Sequence, residues 1–134
     1  MAVAGLDHVN IIASDLEASV AFYGAVLGLT RDPHSVLEKM GRRGAWMRDE
    51  SGYPIMHIQG FDPAHHQANA AGDVTPTGAI DHVALKCTGF AAMIDHLAAL
   101  GVAHRVNDRT FGDLRQIFVT DPDRITLELN FFAD

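Results

Sequence analysis

The chain is short of the residues on which several common protein designs depend. Cys87 is its one cysteine, so no intramolecular disulfide can form and a cysteine-rich zinc site is excluded. A lone thiol also agrees with a reducing compartment. Basic residues are in deficit, with 10 Lys and Arg against 17 Asp and Glu for a formal charge of −7. That balance speaks against a phosphate backbone as the main partner, because nucleic-acid binders present clustered Lys and Arg. No apolar run approaches the roughly 18 residues needed to cross a bilayer. The opening MAVAGLDHVN lacks a cationic stretch followed by a signal-like apolar segment. The expectation is a cytoplasmic protein whose partners include neither nucleic acid nor membrane.

What is present is ordinary in amount and unusual in arrangement. With 48% hydrophobic and 20% charged residues, the composition is that of a globular domain. The 134 residues suit one domain, or two small halves that share a core; halves of about 60 residues are marginal alone. The halves are visible as an internal repeat, the first thing to seek in any sequence. LDHV (6–9) returns as IDHV (80–83). The same shift lays Leu16 on Phe90, Val20 on Ile94 and Tyr23 on Leu97, and with one residue dropped Gly28 meets Gly101.

Each copy opens as a strand and continues as a helix. LDHVNIIA (6–13) and AIDHVALKC (79–87) are short and aliphatic, as strands are. Ser14 with Glu17 has the spacing of a capping box. Leu16, Val20, Tyr23 and Leu27 then recur at helical spacing before Gly28; Phe90, Ile94, Leu97 and Leu100 do so before Gly101. Three strands are expected after each helix: 34–40, 44–49 and 54–59 in the first half, and 102–106, 114–120 and 125–131 in the second. The Pro, Gly and Ala content of 61–78 suits a linker. One domain therefore spans 1–134, with a first module at about 5–60 and a second at about 79–132.

A second alignment places PIMHIQGF over ITLELNFF, so that His57 coincides with Glu128. The halves thus match at two polar positions, His8/His82 and His57/Glu128. Side chains alternate along a strand, and the more apolar set on each strand should lie beneath a helix. The mixed set, holding these four residues, is then left on the other face. Imidazole and carboxylate grouped there suit a divalent ion, Zn²⁺, Ni²⁺, Mn²⁺ or Fe²⁺. Two or three histidines with one carboxylate would leave positions open for water or substrate. Trp46 and Tyr53 are candidates to wall a pocket, and Arg115 to bind an anionic substrate group. Cys87 shares its phase with Val83 and Leu85, which marks a core thiol.

LDHVNIIASDLEASVAFYGAVLGL (6–29), IDHVALKC (80–87) and FVTDPDRITLELNF (118–131) together resemble the vicinal oxygen chelate superfamily. That group includes glyoxalase I, fosfomycin-resistance enzymes, bleomycin-binding proteins and extradiol dioxygenases. The resemblance implies an α+β fold of paired βαβββ modules, curled around a metal cleft with helices outside. It implies one divalent ion held by His8, His82 and Glu128, with His57 as the fourth ligand or an acid–base group, and His57 and Glu128 as the catalytic residues. It also implies a small oxygenated substrate and a homodimer. Either a glyoxalase-like lyase or isomerase or a ring-cleavage dioxygenase would fit; the rival is a metal-free protein that sequesters an antibiotic. Two positions depart from the pattern. His57 stands where glyoxalase I-like members carry a ligating Glu, and Arg124 stands where DPDG turns carry a Gly.

Overall fold

The computed structural model describes residues 1, 6–33, 35–66, 80, 82–107 and 113–132. The chain divides into two compact units, Met1–Val74 and Thr75–Asp134. In the first unit β1 (Val9–Ala13), β2 (Thr30–Pro33), β3 (Gly44–Arg48) and β4 (Pro54–Gly60) form one sheet in the order β1-β4-β3-β2. β1 runs parallel to β4 and the other neighbours are antiparallel. In the second unit β5 (Val83–Cys87), β6 (His104–Asn107), β7 (Arg115–Thr120) and β8 (Thr126–Phe131) repeat that topology as β5-β8-β7-β6. The fold is α+β, with two four-stranded mixed sheets and few helices.

Helix α1 (Leu16–Leu27) supplies Leu16, Val20, Tyr23 and Val26 to the first core. They meet the alternate residues Ile11, Ala13, Ala45, Met47, Met56 and Ile58, all nearly inaccessible to water. Asp15 caps α1, accepting the Ala18 N–H at 3.1 Å, so the cap lies one residue beyond Ser14. Gly28 and Gly101 close α1 and α3 (Phe90–Leu100) in the left-handed conformation at φ 68° and 67°. The α3 stripe is narrower than its spacing predicts. Leu97 is buried and Phe90 packs edge-on against Phe131, but Leu100 is 45% exposed. At roughly 100° per residue Leu100 lies about 80° around the helix from Phe90, outside the covered stripe.

The expected strand over 34–40 is replaced by β2, which ends at Pro33, and a short helix α2 (Ser35–Lys39). Proline has no N–H to extend a ladder, and the Leu-Glu-Lys run favours helix. Leu37 of α2 is 6% exposed. Most of the expected linker lies outside the described residues; Asp62–His66 within it form a turn closed by the His66 N–H on the Asp62 carbonyl at 2.8 Å. Among the described residues no helix is long and apolar enough to cross a membrane.

The 121–124 turn is tight because Asp121, itself buried, accepts the N–H groups of Asp123 and Ile125 at 2.9 and 2.8 Å. Arg124 completes it at φ 68°, the one described non-glycine residue with positive φ, a conformation that costs an L-residue about 1–2 kcal/mol. Arg124→Gly is therefore expected to raise the unfolding free energy by about 1 kcal/mol. The readout is a higher denaturation midpoint at unchanged slope.

Candidate functional site

In the second unit the register lines up Ala84, Glu128 and Phe118 in one row, with Lys86, Asn130, Gln116 and Asn107 in the next. Paired residues share a face, so this is the face away from Leu127, Leu129 and Phe131. Glu128 is largely buried there, its side chain 14% exposed. Its Oε1 accepts two amide N–H groups, from Gln116 and from Asn130, both at 2.8 Å. Gln116 also donates to Asn130 Oδ1 at 3.0 Å and accepts from Asn107 Nδ2 at 2.9 Å. The second oxygen, Oε2, faces His82 Nε2 at 3.3 Å. Hydrogen bonds to a charged group contribute about 1.5–3 kcal/mol each, while desolvating a carboxylate costs several kcal/mol. The amides therefore offset much of that cost.

In the first unit the corresponding row is Asn10, His57 and Trp46, and the next is Ile12, Gln59 and Gly44. His8 stands one residue before β1, as His82 does before β5. His8 Nδ1 lies 2.6 Å from Asp7 Oδ2, and Asp7 Oδ1 accepts the Tyr53 hydroxyl. These contacts, Tyr53 first and then His8, hold the Asp7 carboxyl below the usual range, and the same bond pushes the Tyr53 phenol up. With Nδ1–H given to Asp7, a neutral His8 carries its lone pair on Nε2. Trp46 lies between two imidazoles, edge-on to His8 at 4.9 Å and stacked on His57 at 4.7 Å.

His57 is 7% exposed. Its Nδ1 lies 3.0 Å from Asn10 Nδ2, Asn10 Oδ1 accepts from Gln59 Nε2 at 3.2 Å, and Gln59 Oε1 accepts from Arg42 at 2.7 Å. Arg42 also approaches His66 Nε2 at 3.2 Å. Burial first, and then the charge of Arg42, hold His66 below the ordinary histidine range.

Of the predicted residues, His82 and Glu128 come together in the second unit, and His8, Trp46 and His57 in the first, with Tyr53 bonded to Asp7 beside His8. Arg115 lies on the α3 side of its sheet, 4.3 Å over the Phe90 ring, on the face opposite Glu128. Arg105 holds the Glu128 face instead, 4.0 Å over the Phe118 ring. The amides of Asn10, Gln59, Asn107, Gln116 and Asn130 were not singled out by the repeat. Their strand phase alone carried the signal, since each falls on the same face as His57 or Glu128. Among the described residues no three His, Cys, Asp or Glu side chains form one ligand set. A full set therefore needs a donor beyond the His82–Glu128 pair. The donor chemistry of the His82–Glu128 pair, with one carboxylate oxygen saturated and the other turned to an imidazole, suits a divalent ion.

Residues 5–129 match the family model of the Glyoxalase/Bleomycin resistance protein/Dioxygenase superfamily. No curated protein sequence matches the chain. Solved structures share the fold at low identity. A glyoxalase family protein from Bacillus anthracis aligns at TM-score 0.74 and 22% identity, over 99% of this chain and 98% of that one. A glyoxalase/dioxygenase from Nostoc punctiforme aligns at 0.69 and 18%, over 98% and 92%. The genomically encoded fosfomycin resistance protein FosX from Listeria monocytogenes aligns at 0.67 and 18%, over 98% and 96%.

Two measurements test the local chemistry. Burial pushes the Cys87 thiol up to about 11, so at pH 8 the native protein should resist iodoacetamide and the unfolded protein should react. Tyr53→Phe removes the main cause of the low Asp7 pKa, so carbon NMR should find that carboxyl titrating nearer its ordinary 3.8. A depressed folded pKa contributes stability above the unfolded value that fades as pH falls through the folded one. The variant should accordingly lose less stability than the wild type on acidification below about pH 4.

Proposed function

We propose a metal-dependent enzyme acting on a small oxygenated molecule, from the premise that the chain belongs to the Glyoxalase/Bleomycin resistance protein/Dioxygenase superfamily. The observation that carries the reading is the division of Glu128: one oxygen saturated by Gln116 and Asn130, the other 3.3 Å from His82. His8, from this chain or from a second copy in a homodimer, is the third ligand, and cytoplasm is the proposed setting. A divalent ion bound there, Fe²⁺, Zn²⁺, Ni²⁺ or Mn²⁺, would supply Lewis acidity to substrate oxygens. The chain's own part is to hold the donors in fixed geometry. Asp7 orients His8, the amides orient Glu128, and Trp46 and Tyr53 wall the approach to His8.

Two histidines and one carboxylate are the donor set of non-haem iron oxygenases, and equally leave room for redox-neutral enolate chemistry. Oxygen uptake with catechols, set against isomerisation of thiol–aldehyde adducts, separates the two. The rival reading, a metal-free protein that binds or sequesters an antibiotic as bleomycin-resistance members of the superfamily do, predicts tight small-molecule binding with no metal.

Metal content after anaerobic purification tests the proposal. Wild-type protein should hold one equivalent per site, and His82→Ala and Glu128→Ala should lose it. Gln116→Leu should weaken metal affinity by roughly 10–100-fold, the usual effect of removing a ligand's hydrogen-bond partner. A metal-free wild type that binds a small molecule as well as either variant does would support the rival.

A further inference from the structure

We infer that Arg42, acting through Gln59 and Asn10, fixes His57 in the tautomer that carries its proton on Nε2, which makes His57 a positioning residue for Trp46 and not a metal ligand. The second half of that statement rests on the metal reading above; the first half does not.

A primary amide donates at one end and accepts at the other, so two amides in series can point in either of two directions. A guanidinium has donors only, and Arg42 therefore sets the direction here. Its N–H takes Gln59 Oε1 at 2.7 Å, which turns Gln59 Nε2 to Asn10 Oδ1 at 3.2 Å. Asn10 must then offer Nδ2 to His57 Nδ1, and the two atoms are 3.0 Å apart. Reversing the series would press an amide N–H against the guanidinium. An imidazole that accepts at Nδ1 is neutral and holds its proton on Nε2.

On the same sheet His8 is set the opposite way, because Asp7 accepts from its Nδ1. In its neutral form His8 thus has a lone pair on Nε2 to give to a cation. His57 has none to give, since its Nδ1 lone pair is taken by Asn10 and its Nε2 bears hydrogen. Nε2 itself is closely surrounded. A Cβ on Gly44 would lie 3.6 Å from it and 2.4 Å from Leu37 Cδ1, so this edge of the ring lies close beneath α2. What His57 presents is its face, on which Trp46 stacks with an interplanar angle of 27°. Trp46 in turn meets His8 edge-on.

Long-range nitrogen–proton NMR on metal-free protein with labelled histidine tests the assignment. In the wild type His57 Nε2 should resonate as a pyrrole-type nitrogen and Nδ1 as a pyridine-type one, with His8 reversed. In Gln59→Glu the introduced carboxylate accepts from both Arg42 and Asn10. Asn10 must then turn its oxygen to His57, and the two His57 nitrogen shifts should exchange although the substitution does not touch the ring. Asn10→Asp should give the same exchange directly, which keeps the test open if the first variant does not fold. A wild type protonated on His57 Nδ1, or folded variants that leave both shifts unchanged, would overturn the relay. Metal content is read separately: His57→Gln should keep the wild-type metal while His82→Ala loses it. Loss of metal in a folded His57→Gln would contradict the positioning role. A metal-free wild type with the expected shifts would sink the functional reading and leave the tautomer standing.

Discussion

A carboxylate set into the face of a β-sheet has to be supplied with partners, and Glu128 is the group around which the second unit is arranged. Leaving such an anion unpaired costs several kcal/mol. Asn107, Gln116 and Asn130 answer that demand from three strands, with Gln116 at the centre. Because both amides take the same oxygen, the other is left directed at His82. The alternation of β8, with Leu127, Leu129 and Phe131 buried and Glu128 and Asn130 between them, makes this possible. Apolar packing on one face fixes the strand, and the fixed strand aims the acid.

The first unit uses the same residue types to a different end. There the amides of Asn10 and Gln59 converge on no anion; they stand in line between a guanidinium and an imidazole. What passes along the line is orientation. The two units thus share strand order and register, yet one holds a charge and the other sets a proton. That difference follows from a single repeat position, where one copy has His57 and the other Glu128.

Much of this was legible in the sequence because period and repeat are strong signals. Seven of the eight strands and both long helices fall where alternation and helical spacing put them, and Gly28 and Gly101 end the helices as expected. The miss at 34–40 has a local cause: Pro33 ends the strand early, and the Leu-Glu-Lys run after it favours helix. Of the candidate site, two alignments singled out His8, His82 and Glu128; the structure brings His82 to Glu128 and Trp46 to His8, and Tyr53 donates to Asp7 next to His8. Arg115 was placed by residue type without regard to phase, and phase puts it over Phe90; Arg105 has the phase that faces Glu128. Arg42 could not be found from sequence, because its role depends on a contact with Gln59 across a loop. The tautomer of His57 depends in turn on that contact.

X-ray absorption at the metal edge of Zn²⁺-loaded wild-type protein reads the donor set most directly. Two imidazoles and one carboxylate, with the remaining positions filled by water, are expected. A third imidazole would contradict the assignment of His57, and a first shell without imidazole would contradict the site itself.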